Sequence, residues 1–306
     1  TVIELLDYHP SDIASSLKSK KTNMIGVVIS DITSPFFSAV IVGIGNVLAR
    51  NHYTPLFVNC DNDVAQEEQY IRSFIAREVD GLIVNTSSDT NKFLISVACQ
   101  GMPVGLCDRY IKDYKFDIVG TKNQEMLFSI IRHLKEQGFS RPAMFTQLYE
   151  QNSARKLRRE GFLAAMRQVY GVNAEKDVYV VSDAEEDVER QLRRFLATMR
   201  PGESPAIFCV NSVTTVRLYH AIKNLGLSIP EDVGLCGPDD WNWDNGMNWP
   251  DIMETSITTM TIHARRIGEC TAELLLKRLE LPDMPPQEIL LPTQLHVRDS
   301  TRRGKN

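Results

Sequence analysis

The chain has 306 residues, of which 43% are apolar and 24% are charged, a composition typical of a globular protein with one large or two medium domains. Its formal net charge of -5 argues against a protein whose main body binds nucleic acid, because phosphate binding needs a basic surface. No charged and then apolar leader opens the chain, and its apolar runs are short, so neither a signal peptide nor a membrane span is indicated. We therefore expect a cytoplasmic protein that does not engage a membrane.

The start of the chain differs from that of an enzyme domain, which normally opens on its first strand. From His9 to Asn23, a proline-led helical fragment and a basic linker precede the first buried strand, MIGVVI. The chain lacks an initiator Met and begins within the helical pattern TVIELLDY, so we expect further residues upstream.

Beyond the linker, short apolar runs alternate with amphipathic helical stretches. Ser34 and Pro35 are predicted as the N-cap and first residue of a helix that runs to Arg50. The same rhythm restarts after a break near Gly120, and the last helix is predicted at about residues 262–281. Two successive sets of parallel βα units predict an α/β protein with two doubly wound domains. The closing strands EILL and TQLHV could return to either half.

Polar residues follow the predicted strands, and ligands of doubly wound sheets lie at these carboxyl ends. The residues there are Asp31, Asn59, Asp61, Asn85, Thr86, Asp108, Arg109, Gln147, Asn211, Asp239 and Asp240. Together with aromatic faces from Phe36, Phe37 or Trp241, such groups could pair the many hydroxyls of a sugar, which must be hydrogen-bonded when buried. For any single residue, the simpler explanation is that strand ends are polar because they meet water.

One loop, DDWNWDNGMNWPD, holds all three tryptophans of the chain. Tryptophan rings in such a loop either pack it onto the domain or stack on a ligand. We predict that one of Trp241, Trp243 and Trp249 stacks on a sugar ring and that the other two pack.

Signatures of catalysis and of cofactor binding are absent from the sequence, including GxGxxG, GxxxxGK[ST], GxSxG and HExxH. The adjacent pair Asp239 and Asp240 is a poor candidate for acid–base work, because neighbouring strand-end residues usually point in different directions. The six cysteines stand singly in apolar runs, without a CxxC pair or a nearby histidine. We expect them to be reduced core residues, and we predict no cofactor, no metal and no catalytic residue.

The opening segment LLDYHPSDIASSLKSKKTNMIGVVISDITSPFF closely resembles the LacI/GalR family of bacterial transcriptional regulators. VDGLIVN, GLCDR, RREGF, FCVN, IPEDVGLCGPDD and SITTM follow in family order. The resemblance covers essentially the whole chain. It implies a core with the periplasmic-binding-protein-like fold (type I), in which strands cross between two subdomains. The implied subdomains are residues 23–121 with 261–283 and residues 122–260 with 284–300.

By the same resemblance, residues 1–9 are the end of a helix-turn-helix head, and residues 10–22 are a hinge helix with its linker. In the family this helix folds on operator DNA and inserts a leucine into the minor groove. Leu17 stands at that position, flanked by Ala14 and Lys18. Ser15 stands where many members carry arginine, which removes one expected phosphate contact. Without DNA, so short a helix is marginal, and a disordered basic linker is the alternative.

The resemblance also assigns effector contacts, residue by residue, to Asp31, Phe36, Phe37, Asp108, Arg158, Asn211 and Asp239. Arg109 is a second cation that makes an acidic sugar plausible, and Trp241 is our candidate for stacking. The tryptophan-rich loop resembles a branch of the family that handles sugar acids such as 2-keto-3-deoxygluconate. Pro238, Ile262 and Ala264 depart from the residues usual at those positions, so the pocket is expected to differ in shape from better-known sugar sensors.

The resemblance thus implies a homodimeric repressor whose affinity for operator DNA changes when a small sugar or sugar acid binds between the subdomains. The helix Pro35–Arg50 is the expected contribution of the first subdomain to the dimer, unless its apolar stripe faces its own sheet. A solute-binding protein for sugar uptake shares the core fold but has no use for the hinge segment. A sugar-processing enzyme would need a phosphate loop or a metal cluster. Whether the effector acts as inducer or corepressor is left open.

Overall fold

The computed structural model describes residues 21–240 and 248–303. The predictions for Ala14, Leu17, Lys18 and Trp241 therefore lie outside the described residues. The chain forms two compact units. Unit 1 consists of the chain up to Cys107 with Ile111–Val119 and Arg265–Glu288, and unit 2 consists of Asp108–Tyr110, Gly120–Ala264 and the chain from Ile289 onward.

The first sheet has six strands in the order β11-β5-β4-β3-β1-β2. Its strands are β1 Met24–Ile29, β2 Thr54–Asn59, β3 Gly81–Val84, β4 Val104–Cys107, β5 Asp117–Thr121 and β11 Glu288–Leu291. The accompanying helices are α1 Pro35–Arg50, α2 Val64–Ala76, α3 Lys92–Cys99 and, late in the chain, α9 Ala264–Glu280. β1 to β5 pair in parallel. β3 and β4 are buried along their whole length, as expected of parallel strands covered on both faces.

Helix α1 begins and ends as the sequence predicts, with Ser34 at the N-cap position and Pro35 in the first turn. The side chain of Ser34 makes no capping hydrogen bond. One face of α1 packs closely on α9, where a β-carbon built on Gly43 would lie 2.1 Å from the carbonyl oxygen of Arg265. A β-carbon on Gly268 would likewise lie 2.1 Å from the oxygen of Val40. The two glycines therefore permit this helix crossing.

The second sheet also has six strands, in the order β12-β10-β9-β8-β6-β7. Its strands are β6 Arg141–Thr146, β7 Val178–Val180, β8 Pro205–Cys209, β9 Gly234–Pro238, β10 Thr258–Thr261 and β12 Gln294–His296. Its helices are α4 Asn123–Glu136, α5 Ser153–Tyr170, α6 Glu185–Leu196, α7 Ser212–Asn224 and the short α8 Trp249–Ile252. All pairings are parallel except that of β12 with β10. The predicted class, two doubly wound α/β units, is confirmed.

The core of unit 2 includes an aromatic cluster, in which the rings of Phe145 and Tyr179 stack at 5.0 Å. The last turn of the described chain, a 3-10 turn at Asp299–Thr301, is joined to this unit by buried hydrogen bonds. The hydroxyl of Thr301 lies 2.7 Å from His133 Nε2 and 2.6 Å from the hydroxyl of Thr258. Burial lowers the pKa of His133, so its neutral form is favoured there.

Two expectations from the sequence need correction. Residues 117–121 were not predicted as a strand, but they form β5 of the first sheet; the division expected near Gly120 coincides with the start of a segment of unit 2. Cys99 is exposed at the end of α3, whereas the other five cysteines are buried as predicted. None of the helices in the described ranges combines the length and apolar character needed to span a membrane. Within those ranges, the acidic, histidine and cysteine side chains form no group that could hold a metal ion.

Candidate functional site

Two predicted site residues, Asp108 and Asp239, stand in equivalent places in the chain. Each follows directly after a buried strand, β4 or β9, and each has a left-handed backbone, with φ of 65° and 73°. Asp adopts this conformation more readily than most non-glycine residues, and such turns concentrate at functional positions. Both carboxylates belong to unit 2 and are buried, with 9% and 3% of their surface exposed.

Arg158 is the cation of this site. It lies on α5, is only 6% exposed, and is held by two acceptors: Nε donates to Asn123 Oδ1 at 2.9 Å, and Nη1 donates to the Val210 carbonyl at 2.6 Å. The start of α5 is fixed by its Asn152 cap, which accepts a hydrogen bond from the Arg155 amide. The guanidinium is therefore oriented before any ligand arrives.

The charges of these groups are coupled. Burial raises the pKa of Asp239 above its ordinary value, and the Asp108 carboxylate raises it further. The Arg158 guanidinium and hydrogen bonds from Ser212 act in the opposite direction. The Ser212 amide, at the start of α7, donates to Asp239 Oδ2 at 2.8 Å, as helix N-termini commonly do to anions. Asp108, Arg158 and Asp239 thus form one electrostatic group.

Asp108 carries the unmet hydrogen-bonding capacity of this group. Its Oδ1 atom is buried and has no hydrogen-bond partner among the described residues. Buried polar atoms are nearly always paired, and leaving an acceptor unpaired is unfavourable by about 1–3 kcal/mol. The atom is therefore suited to accept a hydrogen bond from a ligand hydroxyl.

Asn211 caps α7 and is engaged at both ends of its amide. Its Oδ1 accepts from the Thr214 amide at 2.9 Å, while its Nδ2 donates to Gln147 Oε1 at 2.9 Å. Gln147 in turn donates to Asp183 at 3.0 Å. A ligand that accepts a hydrogen bond from Nδ2 would have to replace the bond to Gln147. Asn211 is therefore less available for ligand binding than Arg158.

Asp239 and Asp240 point to different partners, as expected of neighbouring residues at a strand end. Asp240 forms a buried ion pair with Arg298 at 2.8 Å. Trp249 packs against the core of unit 2, and its indole N–H donates to the Asp239 carbonyl at 2.8 Å. This agrees with a packing role for one tryptophan of the loop, whereas Trp241 and Trp243 lie outside the described residues.

The predicted site residues of unit 1 are arranged differently. Asp31 accepts two local hydrogen bonds from Thr33, one from the amide at 3.0 Å and one from the hydroxyl at 2.6 Å. Phe36 and Phe37 are buried in the first turn of α1, with ring centroids 5.0 Å apart in an edge-to-face arrangement. Unit 1 thus places an aromatic pair and a locally paired carboxylate after its first strand.

Arg109 follows Asp108 in unit 2 and is buried, at 5% exposure. A buried guanidinium stays charged, so Arg109 adds a second positive charge to this part of the chain.

The prediction from sequence missed Asn123, which holds Arg158. The available signal was its place two residues after Thr121, the last residue of β5. Residues 117–121 were interpreted as a break and not as a strand, so the polar residue after them was not considered as a strand-end residue. Gln147 was recognised as a strand-end residue, but not as the partner of Asn211.

Comparison with known proteins places the chain among transcriptional regulators. The family described as periplasmic binding protein-like domain matches residues 131–301, more than half of the chain. The HTH-type transcriptional regulator KdgR of Bacillus subtilis (strain 168) is 31% identical over 297 residues, covering 96% of this chain and 85% of that protein. The HTH-type transcriptional regulator PtxS of Pseudomonas plecoglossicida is 30% identical over 300 residues, covering 98% and 84%.

A solved structure of a LacI family transcriptional regulator from Enterococcus faecalis V583, with bound ribose, has a TM-score of 0.76 and 27% identity. It matches 92% of this chain and 100% of its own. The chain belongs to the LacI family of transcriptional regulators. LacI family membership confirms the resemblance drawn from the sequence motifs, and the two α/β units are the periplasmic-binding-protein-like core of that family. Both matched relatives are HTH-type transcriptional regulators.

Proposed function

We propose that this LacI family regulator is a repressor that binds a small sugar or sugar acid and thereby changes its affinity for operator DNA. The proposed effector contacts are Asp31, Phe36 and Phe37 of unit 1, Asp108, Arg109, Arg158, Asn211 and Asp239 of unit 2, and Trp241. A bound effector shifts the population between two states of the protein, which it can do only by binding one state more tightly.

The observation on which the proposal rests is the arrangement of Asp108, Arg158 and Asp239. It offers a buried acceptor without a partner, a guanidinium already held by two acceptors, and a second buried carboxylate. Ligand hydroxyls can donate to the carboxylates and accept from the guanidinium. A hydrogen bond to a charged group contributes about 1.5–3 kcal/mol, so these contacts would favour a polyhydroxylated ligand over an apolar one.

Within sugars, our preference is for a sugar acid of the 2-keto-3-deoxygluconate kind. Arg109 and Arg158 balance the two carboxylates when Asp239 is ionised. Because the pKa of Asp239 is raised, its protonation near an incoming acid would leave a net positive charge there. The ribose in the Enterococcus faecalis structure supports a sugar ligand in general and does not distinguish neutral from acidic sugars.

A thermal-shift screen with neutral sugars, sugar phosphates, sugar acids and purines tests the effector class. A ligand that binds only the folded protein raises its melting temperature by mass action. We expect a selective increase with sugar acids. An increase in melting temperature with neutral sugars alone would support a sugar sensor but contradict the preference for a sugar acid. No increase with any of these compounds would reject the sugar-sensor proposal.

For DNA binding, we propose that residues 10–22 form the hinge helix and linker and that Leu17 enters the minor groove, with Ala14 and Lys18 beside it. An apolar wedge that opens a base step, together with a cation on phosphate, is a common arrangement for minor-groove binding. Because operator DNA lies in the cytoplasm of a bacterium, we propose that the protein is cytoplasmic. A gel shift with a duplex spanning the promoter of its own gene tests this proposal. Sugar binding without DNA binding would instead favour the solute-binding alternative.

We further propose that the regulator acts as a homodimer that contacts its partner through α1. Val40, Ile44 and Leu48 of this helix are buried within unit 1, whereas Val42 on another face is 49% exposed. A second copy would cover this apolar side chain, as subunit interfaces commonly do. Size-exclusion chromatography with light scattering of the wild type and of Val42→Asp tests the assignment. We expect a dimer for the former and a monomer for the latter.

A further inference from the structure

A carboxylate in unit 1 holds the chain where it enters the first strand. Asp80 Oδ1 accepts the Thr22 amide at 2.9 Å, and its Oδ2 accepts the Asn23 amide at 2.8 Å. The Thr22 hydroxyl lies 3.1 Å from Asp80 Oδ1 and 2.9 Å from the Glu78 carbonyl, and it donates to one or the other. We call Thr22, Asn23 and Asp80 the entry clasp.

The hydrogen bonds of the entry clasp are additional to those of the β-sheet. The ladder of β1 with its neighbours begins at Met24 and Ile25, so the amides of Thr22 and Asn23 precede it. The Asp80 amide also donates to the Met24 carbonyl at 2.9 Å, which fixes the carboxylate against the start of β1. The Asn23 carbonyl independently accepts the Thr54 amide at 2.7 Å, so the Asp80 side chain extends the backbone attachment by one residue, to Thr22.

The segment immediately before the clasp is the one to which the proposed function assigns DNA contact. We propose that Asp80 is a positioning residue for operator binding, because it sets the point from which the hinge segment leaves the core. This inference rests on the proposed function. Leu17 is five residues from Thr22, so it can lie at most about 18 Å from the clasp. With Asn23 as the first fixed residue, held through its carbonyl by the Thr54 amide, the limit rises to about 22 Å.

Without the clasp, a longer stretch of free chain tethers Leu17 to the core. We expect this longer tether alone to weaken DNA binding. The effective concentration of a tethered group falls roughly as the −3/2 power of tether length, so lengthening from five to six residues lowers it about 1.3-fold. In a dimer, both hinge segments are affected, and the product is roughly 1.7-fold. Removal of a negative charge would by itself have the opposite sign, because it reduces repulsion of DNA phosphates.

The test measures binding of the complete protein, as its gene encodes it, to the promoter duplex of its own gene at fixed salt. Asp80→Ala removes the clasp, and Asp283→Ala removes the same charge from an exposed residue of unit 1 whose side chain makes no hydrogen bond in the described ranges. We expect Asp80→Ala to bind about 1.7-fold more weakly than Asp283→Ala. Asp80→Asn, which keeps one accepting oxygen and the side-chain shape, should fall between them.

A second measurement separates positioning from a general loss of structure. The increase in melting temperature that effector produces should be the same in Asp80→Asn, Asp283→Ala and the wild type, and the salt dependence of DNA binding should keep its slope. Equal DNA affinity of Asp80→Ala and Asp283→Ala would overturn the inference while leaving the proposed function intact. Failure of the wild type to bind the duplex would instead reject the proposed function, and the inference with it.

Discussion

The two units place similar residue types at the ends of their strands but use them differently. In unit 2, Arg158 is buried, is held by Asn123 and the Val210 carbonyl, and is coupled to the buried Asp239. In unit 1, the Asp31 carboxylate accepts hydrogen bonds from Thr33, two residues away, and the neighbouring ligand candidates are aromatic rings. Unit 2 therefore carries a charged group set by contacts far apart in sequence, and unit 1 carries a local turn.

This difference indicates where binding free energy arises. A charged group fixed by other residues loses little conformational freedom when a ligand binds, so its contacts contribute more. A surface carboxylate already satisfied by its own turn has less to gain. The proposed function therefore assigns most of the polar recognition to unit 2 and an apolar contribution to Phe36 and Phe37 of unit 1.

The largest effect is expected from Arg158→Ala, which removes a buried cation of unit 2. We expect effector affinity to fall at least about 100-fold, which corresponds to roughly 2.7 kcal/mol. Truncation also leaves the buried Asn123 and Val210 oxygens without their donor, so we expect the free energy of unfolding to fall by about 1–3 kcal/mol. Isothermal titration calorimetry below the melting temperature gives the affinity. Arg159→Ala is the matched control, because Arg159 pairs with Glu175 nearer the surface. An Arg158→Ala protein that is folded and binds normally would contradict the assignment.

Asp108→Asn tests the unpaired acceptor. The substitution keeps size and tolerance of the left-handed backbone, but it replaces a charged acceptor with a neutral amide. We expect a loss of about tenfold in effector affinity, because hydrogen bonds to charged groups are stronger than neutral ones by about 1–1.5 kcal/mol. The melting temperature without effector should change little, and unchanged affinity would remove Asp108 from the site.

A substitution in helix α1 tests whether unit 1 can be destabilised without affecting unit 2. Gly43→Ala forces a β-carbon against α9, and we expect it to lower the free energy of unfolding of unit 1 by about 2 kcal/mol. Gly45→Ala on the same helix is the control. Its β-carbon would meet only the Phe57 ring at 4.0 Å, and alanine is the better helix former by up to about 1 kcal/mol. Hydrogen exchange resolved by peptide should show faster exchange in unit 1 of Gly43→Ala, while peptides of α5 and α7 remain protected. Loss of protection in those helices as well would contradict the confinement to unit 1.

The raised pKa of Asp239 predicts a modest dependence of effector affinity on pH. A sugar acid placed beside Asp239 would raise that pKa further, so binding takes up a proton. Affinity for an acid should therefore increase several-fold as the pH falls from neutral towards the raised pKa. Affinity for a neutral polyol should change less. Calorimetry in two buffers of different ionisation enthalpy measures the proton uptake directly, and zero uptake with an acidic effector would contradict this placement.

The smallest effect is expected from Asp31→Asn. The amide oxygen can still accept the hydrogen bonds from Thr33, so the turn before α1 is preserved. We expect effector affinity to change by less than about threefold, equivalent to roughly 0.7 kcal/mol. A loss as large as that of Asp108→Asn would show that unit 1 contributes polar recognition comparable to that of unit 2.

The sequence was a good guide to the fold because parallel strands are continuous apolar runs between turn residues. The bounds of α1 followed from its Ser-Pro start and apolar spacing. β5 was missed because DIVGT is short, begins with a carboxylate and contains a glycine, so its pattern does not distinguish a strand from a break.

The site could be predicted in its members but not in their arrangement. RREGF offers two adjacent arginines, and only the family resemblance selected Arg158, which is buried on α5. The pairings of Arg158 with Asn123 and of Asn211 with Gln147 join residues 35 and 64 positions apart, so local patterns carry no trace of them.

Under the proposed function, effector binding at Asp108, Arg158 and Asp239 changes the affinity for operator DNA. The most direct measurement is a titration of the complete protein onto its own promoter duplex, with and without saturating effector, for the wild type and Asp108→Asn. We expect effector to change the wild-type affinity by about 5- to 150-fold, the usual size of allosteric coupling. In Asp108→Asn, the same response should require about tenfold more effector. A wild-type protein that binds both effector and DNA, but whose DNA affinity does not depend on the effector, would contradict the account.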